Sequence, residues 1–198
     1  MDVIADPSLI RLVTRRLILR PPQPADAPAL QQYAIANRLH LQPWQPSRPA
    51  GYFGLEAVER RIAHVEQERL AGRALHLLML TQASEDGPED IVGECNFSNI
   101  VLGVFQACHL GYALAAHAQA KGLMNEALSA GIDYVFDELG LHRIMANYLP
   151  QNERSARVLA ALGFEREGLA RAYLKINGEW ADHVLTSLIN PDQRFLLN

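Results

Sequence analysis

Gln119-Ala120-Lys121-Gly122-Leu123-Met124 is the stretch on which the reading of this chain turns. Before it stands an apolar run, Cys108-His109-Leu110-Gly111-Tyr112-Ala113-Leu114, short and aromatic enough for a buried strand. After it, Met124, Leu128, Ile132, Val135 and Leu139 recur at spacings of three or four, the signature of a helix with one apolar face. Strand, short turn with a glycine, then helix: this order leaves the N–H groups of the first helical turn without partners. They point out from the positive end of the helix dipole and suit a phosphate. The stretch is neither a P-loop, G-x-x-x-x-G-K-[ST], nor the dinucleotide fingerprint G-x-G-x-x-G. On its own it also fits an ordinary strand–turn–helix join in which Gly122 relieves crowding.

The 198 residues suit one domain, 1–198, with a loose arm at 1–9 and a tail at 191–198. A 49% apolar and 20% charged composition is that of a globular chain with a core. The net charge of −4 argues against a protein that coats nucleic acid. The two cysteines, Cys95 and Cys108, lie in apolar runs without C-x-x-C spacing, so neither a zinc site nor a disulfide framework is expected. With no long apolar run and no signal-peptide pattern, the expectation is a cytoplasmic protein, away from the membrane, monomeric or homodimeric.

In chain order, 12–20 reads as a strand stopped by Pro21-Pro22, and 25–39 and 55–71 read as helices. Between them Leu41-Gln42-Pro43-Trp44-Gln45-Pro46 is a stiff loop whose Trp44 either plugs the local core or walls a substrate cleft. Strands follow at 75–81 and 91–99, joined by the acidic turn 85–90. On the second of these Glu94, Asn96 and Ser98 alternate with Gly93, Cys95 and Phe97, so one face is polar in mid-sheet. Beyond the long helix come a strand at 142–149 and a helix at 152–162, with Asn152 as N-cap and Gly163 as stop. Two strands, 164–176 and 179–189, flank the hairpin signal Asn177-Gly178. The expected class is α/β (α+β): a mixed, mostly antiparallel twisted sheet of about seven strands with about four helices.

This order resembles the GNAT superfamily of N-acetyltransferases, whose pyrophosphate loop is similar to Gln119–Met124, with Met124 replacing the last small residue. Ile91 to Asn99, His109-Leu110-Gly111-Tyr112, Lys121 to Leu128, His142 to Tyr148, Asn152-Glu153-Arg154-Ser155, Leu162-Gly163-Phe164 and Trp180 to Val184 look like the ribosomal-protein-alanine N-acetyltransferases, the RimJ/RimL-like branch. The Leu41-Gln42-Pro43-Trp44 loop is similar to that branch too.

The resemblance implies acetyl-CoA as donor, with coenzyme A as product. Gln119, Ala120, Lys121, Gly122, Leu123 and Met124 would wrap the pyrophosphate. The pantetheine arm would lie along Leu110, Gly111 and Tyr112, where that strand diverges from the one carrying Asn147; Gly111 would suit a bulge, and an N–H there would face the thioester carbonyl. Asn152 would bond the arm, and Ser155 would protonate the leaving thiolate in addition to its plain role in a helix start. The position where some relatives carry a glutamate base is Leu174 here, which takes no proton. Glu94 through a water, His109, Tyr173 and Asp182 remain as bases. A strong base is dispensable for one acceptor: an α-amine of pKa about 7.7–8.0 is about a tenth neutral at pH 7, a lysine of pKa about 10.4 less than a thousandth.

The expected acceptor is therefore the N-terminal segment of a ribosomal protein. It would enter between the first helices and the last hairpin, against Trp44 and its loop, Glu94, Asn96, Tyr173 and Asp182, where acidic groups would hold an ammonium and a basic tail. Two other readings stay open: acetylation of a small amine such as an antibiotic or polyamine, and a CoA-binding regulatory module without turnover.

Overall fold

The computed structural model describes residues 10–82 and 89–193. The arm expected at 1–9, most of the acidic turn and residues 194–198 of the tail lie outside the described residues. Strands β1 (Leu12–Val13), β2 (Leu17–Arg20), β3 (Leu75–Thr81), β4 (Ile91–Val101), β5 (Ala107–Leu114), β6 (Arg143–Tyr148), β7 (Glu165–Ile176) and β8 (Glu179–Ile189) form one sheet in the order β1-β2-β3-β4-β5-β6-β8-β7. Neighbours are antiparallel except β5 and β6, which run parallel. Helices α1 (Ala27–Ala36), α2 (Arg38–Leu41), α3 (Leu55–Leu70), α4 (Leu123–Asp137) and α5 (Glu153–Ala161) complete it.

The alternation along β4 sorts the helices between the two faces. Cys95 and Phe97 point at α4, which comes so close that a Cβ on Gly131 would sit 3.1 Å from the Phe97 ring. Met124, Leu128, Ile132 and Val135 bury the expected stripe of α4 against that face. Glu94 points the other way, beneath α1 and α3. Opposite residues of paired strands share a face, so Tyr112, partner of Cys95, is on the α4 side, while Gly111, partner of Asn96, and Ala113, partner of Glu94, are on the α1–α3 side.

Two expected elements are divided. The strand over 12–20 becomes β1 and β2 because the Thr14 N–H and hydroxyl both reach the Leu17 carbonyl and fold the chain back. The helix over 25–39 breaks at Asn37, whose side-chain amide donates to the Tyr33 carbonyl at 2.9 Å while its oxygen accepts from the Ala116 N–H at 3.0 Å. Among the described residues these divisions give eight strands and five helices where about seven and four were expected. The bulge expected at Gly111 is also absent: β4–β5 pairing is regular from Gly93–Leu114 to Ser98–His109, and its register shifts only between Ser98 and Val101.

Candidate active site

The gap in the sheet is the centre of the site. Parallel pairing of β5 with β6 runs from Ala107–Arg143 to Leu110–Ala146 and stops. β6 continues through Asn147 and Tyr148 paired only with β8, and β5 continues through Gly111 to Leu114 paired only with β4. Two facing strand edges thus open from Leu110 and Ala146 onward, with backbone polar groups available to an extended ligand.

At the end of β5 the chain passes into the loop that precedes α4. Ala120 has φ 58° and Gly122 φ 74°, both left-handed. Gly122 is the N-cap of α4, and Glu126 is the first residue of the helix whose N–H finds a backbone acceptor, the Gly122 carbonyl. Among the described residues, no acceptor is recorded for the N–H groups of Ala120 through Asn125, which fits a bound anion. The outside of the loop is tied down. Glu126 accepts from the Thr14 hydroxyl at 2.6 Å, the Arg16 N–H at 2.7 Å and Arg16 Nε at 2.7 Å, and Arg16 also donates to the Lys121 carbonyl at 2.8 Å. Burial works against the Glu126 charge, yet those bonds hold its carboxyl below the usual range. The Gln119 side chain is clamped between His40 Nε2 at 3.0 Å and Arg154 at 2.6 Å, so α2 and α5 meet at the loop.

On the α4 side of the gap, Asn152 caps α5 by accepting from the Ser155 N–H at 3.1 Å. The Ser155 hydroxyl lies 2.6 Å from the Tyr112 hydroxyl. Burial pushes the Tyr112 phenol up to about 12, so the pair stays protonated at neutral pH. Sequence reading assigned Tyr112 only a backbone role. The available signal was alternation: it sits two residues beyond Leu110 on the strand leading into the gap.

On the opposite side lies a cavity of about 170 Å³, bounded by α1, the loop after α2, α3, Glu94 of β4 and Asn177 of the β7–β8 turn. The turn is docked there: the Asn177 N–H donates to the Gln45 carbonyl at 2.9 Å and Gln42 Nε2 to Asn177 Oδ1 at 3.2 Å. Burial raises the Glu94 carboxyl above its ordinary value, opposed by Arg61 and Arg48. Tyr33 is 7% exposed, lines the same cavity, and its hydroxyl has no hydrogen-bond partner among the described residues. Burial, and then the nearby Glu94 charge, push its phenol upward.

Of the acceptor residues expected from sequence, Glu94 lines this cavity and Trp44, Asn96, Tyr173 and Asp182 do not. Asn96 shares the face of Glu94, two pairs along β4 toward the point where the gap opens. Trp44 is 38% exposed, and Tyr173 leans on His183 with centroids 5.8 Å apart. Asp182 accepts from the Ala172 N–H at 2.8 Å where the β7–β8 register shifts, holding the strand irregularity. The lining of this cavity is not the acidic one expected for the acceptor. Glu94 is the single carboxylate in the wall, and Arg38, Arg48 and Arg61 share it. Tyr52 and Phe53 supply rings for them to lie over: Arg61 Cζ is 3.9 Å and Arg48 Cζ 4.5 Å from the Tyr52 centroid, Arg38 Cζ 5.0 Å from that of Phe53.

Among the described residues no group of three or more His, Cys, Asp or Glu is arranged to hold a metal, and no helix is long and apolar enough to cross a membrane.

Comparison with known proteins agrees with this geometry. The model of the acetyltransferase (GNAT) domain matches residues 16–165. The chain is 43% identical over 183 residues to the [ribosomal protein uS5]-alanine N-acetyltransferase of Escherichia coli K12, covering 92% of each chain. The crystal structure of a ribosomal-protein-S5-alanine acetyltransferase from Vibrio fischeri superposes with a TM-score of 0.86 at 39% identity, over 92% of this chain and 98% of that one. RimJ of Mycobacterium smegmatis, in complex with CoA-disulfide, gives 0.84 at 28% identity, over 93% and 90%.

Proposed function

This chain belongs to the GNAT acetyltransferase family, and we propose that it transfers the acetyl group of acetyl-CoA to the N-terminal α-amine of an alanine-headed ribosomal protein, by direct attack in a ternary complex in the cytoplasm. One observation carries the chemistry: the gap beyond Leu110 and Ala146 has a protonated hydroxyl pair on one face and a carboxylate-floored cavity on the other. The acceptor class rests on the likeness to relatives named for the same modification.

Acetyl-CoA supplies an activated acyl group and a thiolate leaving group. The N–H groups of Ala120, Lys121, Gly122, Leu123 and Met124, behind Gln119, hold its pyrophosphate. Backbone groups of Leu110, Gly111 and Tyr112 take the pantetheine amides across the open strand edge, and Asn147 stands on the facing edge. Asn152 uses its oxygen on Ser155, which leaves its amide N–H groups for the same arm. Ser155, hydrogen-bonded to Tyr112, delivers the proton to the leaving sulfur, and Tyr112 replenishes it. Glu94 draws the ammonium into the cavity and takes its proton through a water; its raised pKa brings it closer to that of the amine. Asn96, Trp44, Tyr173 and Asp182 border the route from the cavity to the gap.

The test is incubation with acetyl-CoA and a panel of alanine-headed peptides, internal-lysine peptides, polyamines and aminoglycosides, with mass spectrometry to locate the acetyl group. Acetyl on the peptide α-amine is expected. Acetyl on lysine, or on a small amine in preference to every peptide, overturns the acceptor, and binding of coenzyme A without turnover overturns the enzyme reading.

A further inference from the structure

The lining of the acceptor cavity is mismatched to a plain ammonium ligand. It holds three guanidinium groups and one carboxylate. Among the described residues none of Arg38, Arg48 and Arg61 is ion-paired with a carboxylate, although other enclosed arginines of the protein are, as in Arg20–Asp26 at 2.7 Å and Arg69–Glu66 at 2.6 Å. Their stacking is also informative. Arg48 and Arg61 lie over the Tyr52 ring, which leaves in-plane N–H forks for a planar anion. Arg61 spends one N–H on the Tyr52 carbonyl at 2.7 Å, fixing its orientation; no acceptor is recorded for Arg48 among the described residues. The Tyr33 hydroxyl of the same lining, nine-tenths buried, has no partner among the described residues and offers both a donor and an acceptor. A buried polar atom without a partner is expensive, so an occupant that bonds it is selected for.

The space is smaller than the about 300–1,000 Å³ of a drug-sized site and suits a residue or two of an extended chain end. An occupant matching both poles is zwitterionic over that length: an ammonium toward Glu94 and a carboxylate toward the guanidinium wall. We propose that this cavity selects acceptor N-termini bearing an acidic side chain at the second or third residue, its carboxylate clamped by Arg48 and Arg61 while the α-amine sits at Glu94. This rests on the reading of the cavity as the acceptor site and replaces the basic tail expected from sequence with an acidic one.

The test uses the purified full chain and alanine-headed peptides identical except for Glu, Gln or Lys at position two, and a second set varied at position three. Both kcat/KM and equilibrium binding in the presence of coenzyme A are measured. At one of the two positions, the Glu peptide is expected to exceed its Gln twin by about tenfold in both, with Lys weaker still. Arg48→Gln should bring the Glu-to-Gln ratio toward one, and Arg48→Glu should turn the preference toward Lys. A ratio taken between two peptides on one protein cancels any loss of folded enzyme. Equal handling of Glu and Gln peptides at both positions, or an unchanged ratio in both Arg48 variants, overturns the inference while leaving α-amine acetylation intact. Tighter binding of Glu peptides without α-amine turnover has the opposite meaning: the clamp stands and the proposed reaction falls. If no peptide binds, both fall.

Discussion

The two faces of the sheet around the gap are built on opposite plans. On the α4 side the polar side chains at the loop and at the start of α5 are partnered: Ser155 with Tyr112, Asn152 with the Ser155 N–H, Gln119 with His40 and Arg154, Glu126 with Thr14 and Arg16. What stays unpaired there is backbone N–H. On the α1–α3 side, among the described residues, the Tyr33 hydroxyl has no hydrogen-bond partner, and Glu94, Arg38, Arg48 and Arg61 form no close ion pair. The first arrangement is preorganised for a fixed group and holds its donors still, which is where electrostatic catalysis is most effective. The second keeps its charges waiting for a partner that brings its own, which is how a site discriminates among acceptors.

The largest effect should come from breaking the proton donor. Ser155→Ala is expected to lower kcat by about 10²–10⁴-fold with acetyl-CoA affinity near that of the parent, since proton donation belongs to the transition state. Tyr112→Phe should lower kcat as well, and the double variant should fall short of the product of the two single effects because the hydroxyls act as a unit. Unchanged kcat in Ser155→Ala reduces the residue to its capping role. Next, Gly122→Val forces a β-branched side chain into a left-handed N-cap, its Cβ toward Arg16, and distorts the loop; calorimetry with coenzyme A should show Kd raised tenfold or more, about 1.4 kcal/mol. Affinity equal to the parent's in a folded variant removes the loop from the cofactor site.

Glu94→Gln sharpens the contrast from the other face. Above its raised pKa the carboxylate is ionised and able to take a proton, so peptide kcat/KM should climb with pH through that value in the parent. In the variant that limb should vanish, leaving only the rise due to the amine itself, with a loss of about tenfold at neutral pH. Stability moves oppositely. A carboxyl whose pKa is raised in the fold contributes its stability below the unfolded value and loses it as pH rises through the folded one. The Glu94→Gln protein should therefore melt above the parent at neutral pH, with the gap closing in acid. Identical pH profiles would make Glu94 an ammonium anchor without a proton role. The smallest effect is expected for Arg16→Ala, which frees the loop from outside without touching the ligand surface. Coenzyme A affinity should drop by a few-fold, and thermal unfolding should register a loss of about 1 kcal/mol for the missing bonds. A tenfold affinity loss would mean that Arg16 meets the phosphates directly.

The sequence by itself determined the order of elements, the glycine turn before α4, the Asn152–Ser155 cap and the Asn177-Gly178 turn. Each of these is set by neighbours within a few residues: the apolar period of α4, a glycine where the backbone turns left-handed, a side chain reaching its own helix start. Glu94 was legible for the same reason, because alternation along one strand exposes a carboxylate on a buried face. The tertiary structure alone decided the break at Asn37, the anchoring of the loop by Arg16, the Tyr112–Ser155 pair and the arginine wall. The first three join residues tens of positions apart, as Asn37 does with Ala116 and Arg16 with Glu126, while the arginines stack on nearby rings but gather around Glu94 of a distant strand. The arginine lining of the cavity was likewise not legible in the overall charge. A net charge of −4 describes the whole surface, whereas the field in a pocket depends on which few side chains the fold turns inward, and here three arginines lie over Tyr52 and Phe53 in its lining.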